Sequence, residues 1–371
     1  MKSFAKLAVA IAACAAPAQA ETCSIDALRY DQTQVIGTHN SYKIEGDDGI
    51  DNAARVFSYR EDEKSDASQL AYRMAYHHPP LDVQLDVGVR ALEIDVHDDP
   101  EGGAFASPGG YKALAKLGLQ PNVPYDPHGL MRAPGFKVLH VPDWDVLSNC
   151  PTLTLCLATL KAWSDRHPRH FPVMIRVEAK EKSFPPIGDL YTPATVRRFG
   201  TPAFERLEAQ IRETMGQGRI YQRAAYAGAW PKIAGLRGKF IFVLSGEPDV
   251  GARYQAAMGA RRMFFTLTEP GGAVPILNLG EAAKKAGPGA AGSILYTRSE
   301  TIETREAREN DNGPRERAFA SAGNIIWTDY AIPDARFSDY RVRFAEGVEG
   351  GYVRPHPLRA PAACHAKLAG R

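Results

Sequence analysis

Four polar clusters stand where apolar runs of the chain end: Thr38-His39-Asn40-Ser41-Tyr42, Glu93-Ile94-Asp95, His140, and Glu178-Ala179-Lys180. In Glu93-x-Asp95 the two-residue period of a strand puts both carboxylates on one side and Ile94 on the other. Two acids held together repel each other and need a cation or a shared proton. Glu93, Asp95 and Glu178, with the amide oxygen of Asn40, make a hard, all-oxygen ligand set. Such a set suits calcium, or magnesium if the site is tighter, better than zinc. His39 and His140 would stand beside it as proton-transfer groups, because imidazole titrates near neutral pH. A cation so placed stabilises charge on a phosphoryl oxygen and lowers the pKa of an attacking hydroxyl.

Each cluster alone is ordinary: a single strand-end histidine is more often structural, and Glu178 to Glu181 reads equally as a solvated charge run. The signal lies in all four clusters falling at the same end of successive strands. Short β-branched or apolar runs recur at Gln34 to Gly37, Ala91 to Val96, Lys137 to His140, Val173 to Glu178, Phe240 to Leu244, Met263 to Leu267, Ile294 to Tyr296 and Asn324 to Thr328. Helical stretches lie between them: Leu70 to Tyr76, Leu81 to Val87, Leu153 to His167, Pro202 to Met215 and Glu300 to Ala320. Leu153, Leu157, Leu160 and Ala162 are spaced as one helix face against a sheet. Eight strands alternating with helices predict an α/β fold, a TIM-like (β/α)8 barrel, whose catalytic groups sit at the strand C-termini. An open doubly wound sheet is the alternative, weakened by the lack of a Gly-rich fingerprint after the first strand.

Long loops follow the first two strands, Ser41 to Leu70 and the Gly- and Pro-rich Asp98 to Gly135. Loops of that length are uncommon unless functional; in a barrel these would rise over the catalytic face as walls or lids. Tyr111, Leu114, Leu117 and Leu119 in the second would supply an apolar rim if exposed, and burial against the barrel is the preferred reading.

The first twenty residues read as a secretory signal: Lys2 and Lys6, an apolar run from Leu7 to Ala16, and a small-residue cleavage site at Ala18-Gln19-Ala20. Residues 21–371 then form a single domain, since no linker or composition change divides them. Without Lys2 and Lys6 the basic and acidic side chains balance at forty-three each. A neutral chain is a poor partner for nucleic acid, where affinity rests on clustered Lys and Arg. No polybasic segment marks a standing membrane anchor, and the mixed charges of Arg298 to Arg317 suit a solvated helix face. The mature chain keeps Cys23, Cys150, Cys156 and Cys364. Their even number in an oxidising compartment predicts two disulfides, Cys150 with Cys156 and Cys23 with Cys364. A secreted or periplasmic monomer is expected.

These residues resemble the calcium-dependent phosphoinositide phospholipase C family of bacteria and fungi. The resemblance is carried by Ile36-Gly37-Thr38-His39-Asn40-Ser41-Tyr42, by Gln84-Leu85-Asp86-Val87-Gly88-Val89-Arg90-Ala91-Leu92-Glu93-Ile94-Asp95-Val96-His97, and by Val138-Leu139-His140. Ala318 to Gly323 and Thr328-Asp329-Tyr330 resemble the family's closing strand. It implies His39 and His140 as the catalytic pair and Asn40, Glu93, Asp95 and Glu178 as ligands of one calcium ion. Lys180, Arg298 and Tyr330 become candidates to touch phosphate or the sugar-like ring. The implied substrate is a phospholipid or other inositol phosphodiester, met in passing at a membrane surface, with the neighbouring inositol hydroxyl as nucleophile. In that scheme His39 stabilises the developing charge and His140 protonates the leaving oxygen, with the reverse assignment open. A glycerophosphodiester phosphodiesterase is the nearest competitor; that family typically has Arg and then Gly where this chain has Asn40 and Ser41. A calcium-stabilised binding protein without turnover is the other alternative, and it would have no use for two histidines.

Overall fold

The computed structural model describes residues 23–52, 74–183, 188–267, 276–278, 292–301 and 305–365. The leader read over residues 1–20 lies outside them. Eight strands form one continuous parallel path: β1 (Thr33–Thr38), β2 (Ala91–Asp99), β4 (Val173–Ala179), β5 (Phe240–Gly246), β6 (Phe265–Thr266), β7 (Ile276–Asn278), β8 (Ile294–Arg298) and β9 (Ile325–Thr328). The order is β6-β5-β4-β2-β1-β9-β8-β7. The sheet curls into the expected TIM-like barrel, and among the described residues no hydrogen-bonded pair joins β6 to β7 at the seam.

Alternation along the strands separates two cores. Val35, Ala91, Met174, Ile241, Val243, Phe265, Ile294, Tyr296, Ile325 and Trp327 pack together inside the barrel. Ile36, Leu92, Ile94, Val96, Ile175, Val177, Phe242, Leu244 and Ile326 pack outward against the helices. Burial on both faces explains why these strands read as nearly continuous apolar runs. Gly37 sits where β1 meets both neighbours: a Cβ there would stand 2.7 Å from the Ala91 Cβ and 2.9 Å from the Trp327 ring.

Helices α1 (Leu81–Val87), α3 (Leu153–Arg166) and α4 (Thr201–Met215) match the periodic stretches read in the sequence, while α2 (Gly109–Lys116) falls inside the stretch from Asp98 to Gly135 read as a loop. Thr152 caps α3, its hydroxyl accepting from the Leu155 amide. Its buried face is Leu153, Cys156, Leu157, Leu160 and Trp163, and Ala162, expected on that face, points to solvent. In α4, Pro202 falls in the first turn and Gly216, at φ 78°, ends the helix. The stretch read as one helix from Glu300 to Ala320 contains Arg305–Glu309 and Gly313–Ala320. Asn310 at φ 54° breaks it, and the Asp311 carboxylate accepts from the Gly313 amide. Leu70 to Tyr76 falls largely outside the described residues, and Tyr76 itself is not helical.

Two strand readings change. Lys137 to His140 is not a barrel strand: β3 (Gly135–Lys137) runs antiparallel to the overshooting end of β2, with His97 opposite Lys137 and Asp99 opposite Gly135. A parallel neighbour needs a crossover helix packed on the outside of the sheet. Here α2 instead lies on the rim, where Asp143 holds its start by accepting from the Gly109 amide at 2.7 Å. The eighth barrel strand is β7, three residues in a Gly- and Pro-rich stretch with too little periodicity to read. One further strand, β10 (Val353–Pro355), pairs antiparallel with the start of β1, Val35 opposite Val353. Both predicted disulfides are present: Cys23–Cys364 joins positions 341 residues apart, and Cys150–Cys156 closes the turn into α3.

Candidate active site

Strand parity places the site. Glu93 and Asp95 share the inward parity of Ala91, and Ile94 points to the helices as expected. On β4 the inward set is Met174, Arg176 and Glu178, and the register sets Glu93 opposite Arg176 and Asp95 opposite Glu178. Carboxylate oxygens of Glu93, Asp95 and Glu178 therefore come within 4.8 Å of one another. Glu93 Oε2 and Asp95 Oδ1 are buried without a hydrogen-bond partner, which leaves lone pairs for a hard cation. The donor set fits calcium chemistry.

Two cations border the acids. Arg176 donates to Glu178 at 2.7 Å and lies 3.3 Å from Glu93, with Ser245 fixing its Nε at 2.9 Å. Lys180 Nζ stands 3.2 Å from Asp95 and 3.4 Å from Glu178. Burial pushes Glu93 up to about 8, against the pull of Arg176 and with Glu178 and Asp95 adding to it. Burial also raises Glu178, but Arg176 and Lys180 outweigh it and bring that carboxyl down to about 2. Burial raises Asp95, opposed by Lys180. Burial thus favours the protonated form of Glu93, while Arg176 and Lys180 favour the ionised form of Glu178.

The turn after β1 is stitched to the same strand. Ser41 N donates to the Glu93 carbonyl at 3.0 Å and Ser41 Oγ accepts from the Glu93 amide at 2.8 Å. Gln84 clamps the turn, donating to the Ser41 carbonyl at 2.7 Å. Asn40 sits at φ 46°, a left-handed conformation that Asn tolerates better than most side chains. Its Nδ2 donates to the Tyr76 hydroxyl at 2.6 Å, so Oδ1 is the end left to act as a ligand.

Each predicted histidine is backed by a carboxylate to which sequence reasoning gave no role in the site. His39 Nδ1 lies 2.9 Å from Asp329, whose other oxygen accepts from Arg298 at 2.7 Å. Burial, then the nearby Arg298, lowers His39 to about 4, despite Asp329. Burial would raise Asp329, but Arg298 and His39 hold it well below the usual carboxylate range. His140 Nδ1 lies 2.8 Å from Asp145 Oδ2, and the Lys43 ammonium is 3.3 Å from the same oxygen. His140 follows β3 on the loop Val138–Asp145 rather than a barrel strand, and its amide donates to the Asp145 carbonyl at 3.2 Å.

Of the tentative contacts, Lys180 and Arg298 join this group. Arg298, expected in a solvated stretch, is inside the barrel, and its Nε is buried without a hydrogen-bond partner. Tyr330 is set apart from them, packed in the outer layer against Phe337 and Tyr340. Arg176 was missed although its parity with Glu178 is readable in Arg176-Val177-Glu178. Asp329 was legible only as part of a family-like motif, and Asp145, Lys43 and Tyr76 lie on loops, where spacing carries no signal.

Imidazoles backed by carboxylates and facing hard oxygen ligands across a barrel mouth are equipment for displacement at phosphorus, which places the molecule among barrel phosphodiesterases. The comparison of sequences narrows this. The model of the family "Phosphoinositide phospholipase C, Ca2+-dependent" matches residues 28–357. The chain belongs to that family, whose members are phosphoric diester hydrolases, phosphatidylinositol-specific phospholipases C dependent on calcium. No curated protein matches it. Among solved structures it is similar to a calcium-dependent phosphoinositol-specific phospholipase C from Pseudomonas sp., at 18% identity and TM-score 0.47, covering 92% of this chain and 97% of that one. A calcium-dependent enzyme from Streptomyces antibioticus gives 18% and 0.46, covering 81% and 94%. A phosphatidylinositol-specific phospholipase C from Listeria monocytogenes gives 11% and 0.46, covering 86% and 94%.

Proposed function

We propose that the chain is an exported, monomeric phospholipase C, one domain over residues 21–371 behind a leader at 1–20. It would cleave phosphatidylinositol-type lipids to diacylglycerol and an inositol cyclic phosphate. The observation that carries this reading is the pair of carboxylate-backed imidazoles, His39–Asp329 and His140–Asp145, at the mouth that holds the acid cluster. Asn40, Glu93, Asp95 and Glu178 would hold one calcium ion, the acids forming a single cluster and the flexible oxygen set suiting calcium before magnesium. When bound, that ion supplies charge neutralisation at the phosphoryl oxygen and acidifies the attacking hydroxyl.

With Nδ1 hydrogen-bonded to Asp329 and the ring neutral, His39 presents a bare Nε2 that accepts the proton of the inositol hydroxyl beside the phosphodiester. On this reading His39 acts as a base, where the family resemblance implied charge stabilisation. The hydroxyl oxygen then bonds to phosphorus, the bond from phosphorus to the diacylglycerol oxygen breaks, and His140 delivers a proton to that oxygen. Proximity of nucleophile and phosphorus within one molecule supplies much of the rate. Arg298, whose Nε has no hydrogen-bond partner, and Lys180, beside Asp95, would meet phosphate oxygens.

Membrane contact falls to the second long loop. Leu114 is buried as expected, but Leu117 and Leu119 are 41% and 51% exposed, beside exposed Lys112, Lys116 and Val123. Apolar side chains flanked by lysines suit brief contact with an anionic lipid surface. Both disulfides fit an oxidising compartment, and among the described residues no helix is long and apolar enough to cross a membrane.

Phosphorus NMR of phosphatidylinositol vesicles incubated with the protein tests the reading. A cyclic inositol phosphate signal with calcium and none with chelator is expected. A glycerol phosphate product, or turnover indifferent to chelator, would overturn it.

A further inference from the structure

Lys43 is wholly buried at the rim of the barrel, four residues past His39. Taking an ammonium out of water costs several kcal/mol, and an apolar side chain of similar length is usually the cheaper occupant. Its partners show what it does there. Nζ donates to the Met74 carbonyl at 2.8 Å and to the Tyr76 carbonyl at 3.1 Å, and stands 4.8 Å over the Tyr76 ring. On its other side it lies 3.3 Å from Asp145, sharing with His140 the same carboxylate oxygen. Its backbone belongs to the Asn40 turn: Lys43 N donates to the Asn40 carbonyl and His78 N to the Lys43 carbonyl, both at 2.8 Å. Tyr76 in turn holds the Asn40 amide through its hydroxyl.

One ammonium thus contacts two arms of the site. On one arm Tyr76 orients the Asn40 side chain; on the other Asp145 orients His140. We propose that Lys43 is a positioning residue that couples the two, setting the Asn40 amide for the cation and the His140–Asp145 pair for proton delivery in the same act. The inference rests on the roles given to Asn40 and His140 above. Partners one layer behind ligands and catalytic groups are worth about 10- to 100-fold in affinity or rate when removed.

The test uses the full-length protein and two readouts. The first is kcat on phosphatidylinositol against kcat on an inositol aryl phosphodiester, whose leaving group departs without a proton. The second is calcium affinity from the rise in melting temperature with added calcium, measured without substrate. Lys43→Met should lower kcat on the lipid by about 10- to 100-fold, lower it much less on the aryl ester, and weaken calcium binding by about 10-fold. Tyr76→Phe should weaken calcium binding and leave the ratio of the two kcat values unchanged. Asp145→Asn should do the reverse. Lys43→Met added to Asp145→Asn should cost little more on the lipid than Asp145→Asn alone, since the ammonium then has no carboxylate to hold.

Equal loss on both substrates with calcium affinity unchanged would overturn the coupling and leave Lys43 a packing residue. So would full multiplication of the Lys43 and Asp145 effects. If Lys43→Met fails to fold, the double variant, which removes both buried charges, and Tyr76→Phe decide the matter by the same criteria. Failure of the underlying functional reading looks different: the unaltered protein would then give no cyclic phosphate at all.

Discussion

Calcium binding should expel a proton from Glu93, because a carboxyl held at about 8 is mostly protonated at neutral pH and must ionise to become a ligand. The perturbation is pH itself. If the proton alone competes with the cation, the apparent dissociation constant carries a factor of 1 + 10^(8 − pH), so affinity at pH 6 is about 50-fold weaker than at pH 8, or about 2.3 kcal/mol. Isothermal titration of the protein with calcium, in two buffers of different ionisation enthalpy, counts the protons released; close to one per ion is expected at pH 6.5. Glu93→Gln should abolish the release. The metal-free fold carries the opposite sign. Glu93 has a folded-state pKa above its ordinary value of 4.5, so its contribution is fully present below that value and is lost as pH rises through about 8. Saturating calcium should remove that loss. A calcium affinity that is flat between pH 6 and 8, with no buffer-dependent heat, would refute the reasoning, because burial would then not be holding a proton in the cluster.

Removing the imidazole at His140 should cut turnover of the lipid by about 10²- to 10⁴-fold, and a substrate with a good leaving group should recover part of it. Equal loss on both substrates, read from kcat, would reject the acid role. Replacing Cys23 and Cys364 by serine releases a bridge between positions 341 residues apart. Denaturant titration should show a loss of about 2–5 kcal/mol, with kcat unchanged below the new melting temperature. Gly37→Ala drives a methyl into the Ala91 side chain and the Trp327 ring, between strands that cannot separate. A loss of about 1–3 kcal/mol is expected from the same titration, and an unchanged midpoint would show that the barrel gives way there.

What could be read in the chain follows the rules of strand parity. Glu93-x-Asp95 announced two acids on one side of a strand, and the structure puts them there, because a strand buried on both faces has no other way to place alternate residues. His140 reads as the end of a barrel strand, but the strand there, β3, lies outside the barrel and ends at Lys137. The histidine reaches the mouth on a loop because β2 overshoots the barrel and β3 folds back on it. Arg176 obeys the same parity as Glu178, but a single arginine in an apolar run carries no signal of an ion pair until the register with Glu93 is known. β7 is three residues long and β10 pairs antiparallel outside the barrel path, so neither leaves a periodic trace. Asp145, Tyr76 and Lys43 depend on how loops fold over one another, which is decided by tertiary contacts and not by spacing.

Of the cations that make the acids tolerable, sequence reasoning named Lys180 and Arg298 only as contacts for phosphate or the sugar-like ring and missed Arg176 and Lys43. At the mouth, Glu93, Asp95, Glu178, Asp145 and Asp329 are matched by Arg176, Lys180, Lys43 and Arg298. With Glu93 protonated these five acids and four cations balance; once that proton is expelled they carry a formal charge of minus one, far less than the acid cluster alone suggests. A divalent ion turns that to plus one, and a phosphodiester, carrying one negative charge, returns it to zero. Burial makes each of these steps matter, since charges out of water interact several times more strongly than at a surface. The arrangement therefore favours ion and substrate together over either alone, whereas three unpaired carboxylates would hold the ion tightly and leave less positive charge for the phosphate. The two arginines and two lysines set the charge that the ligands and histidines work against.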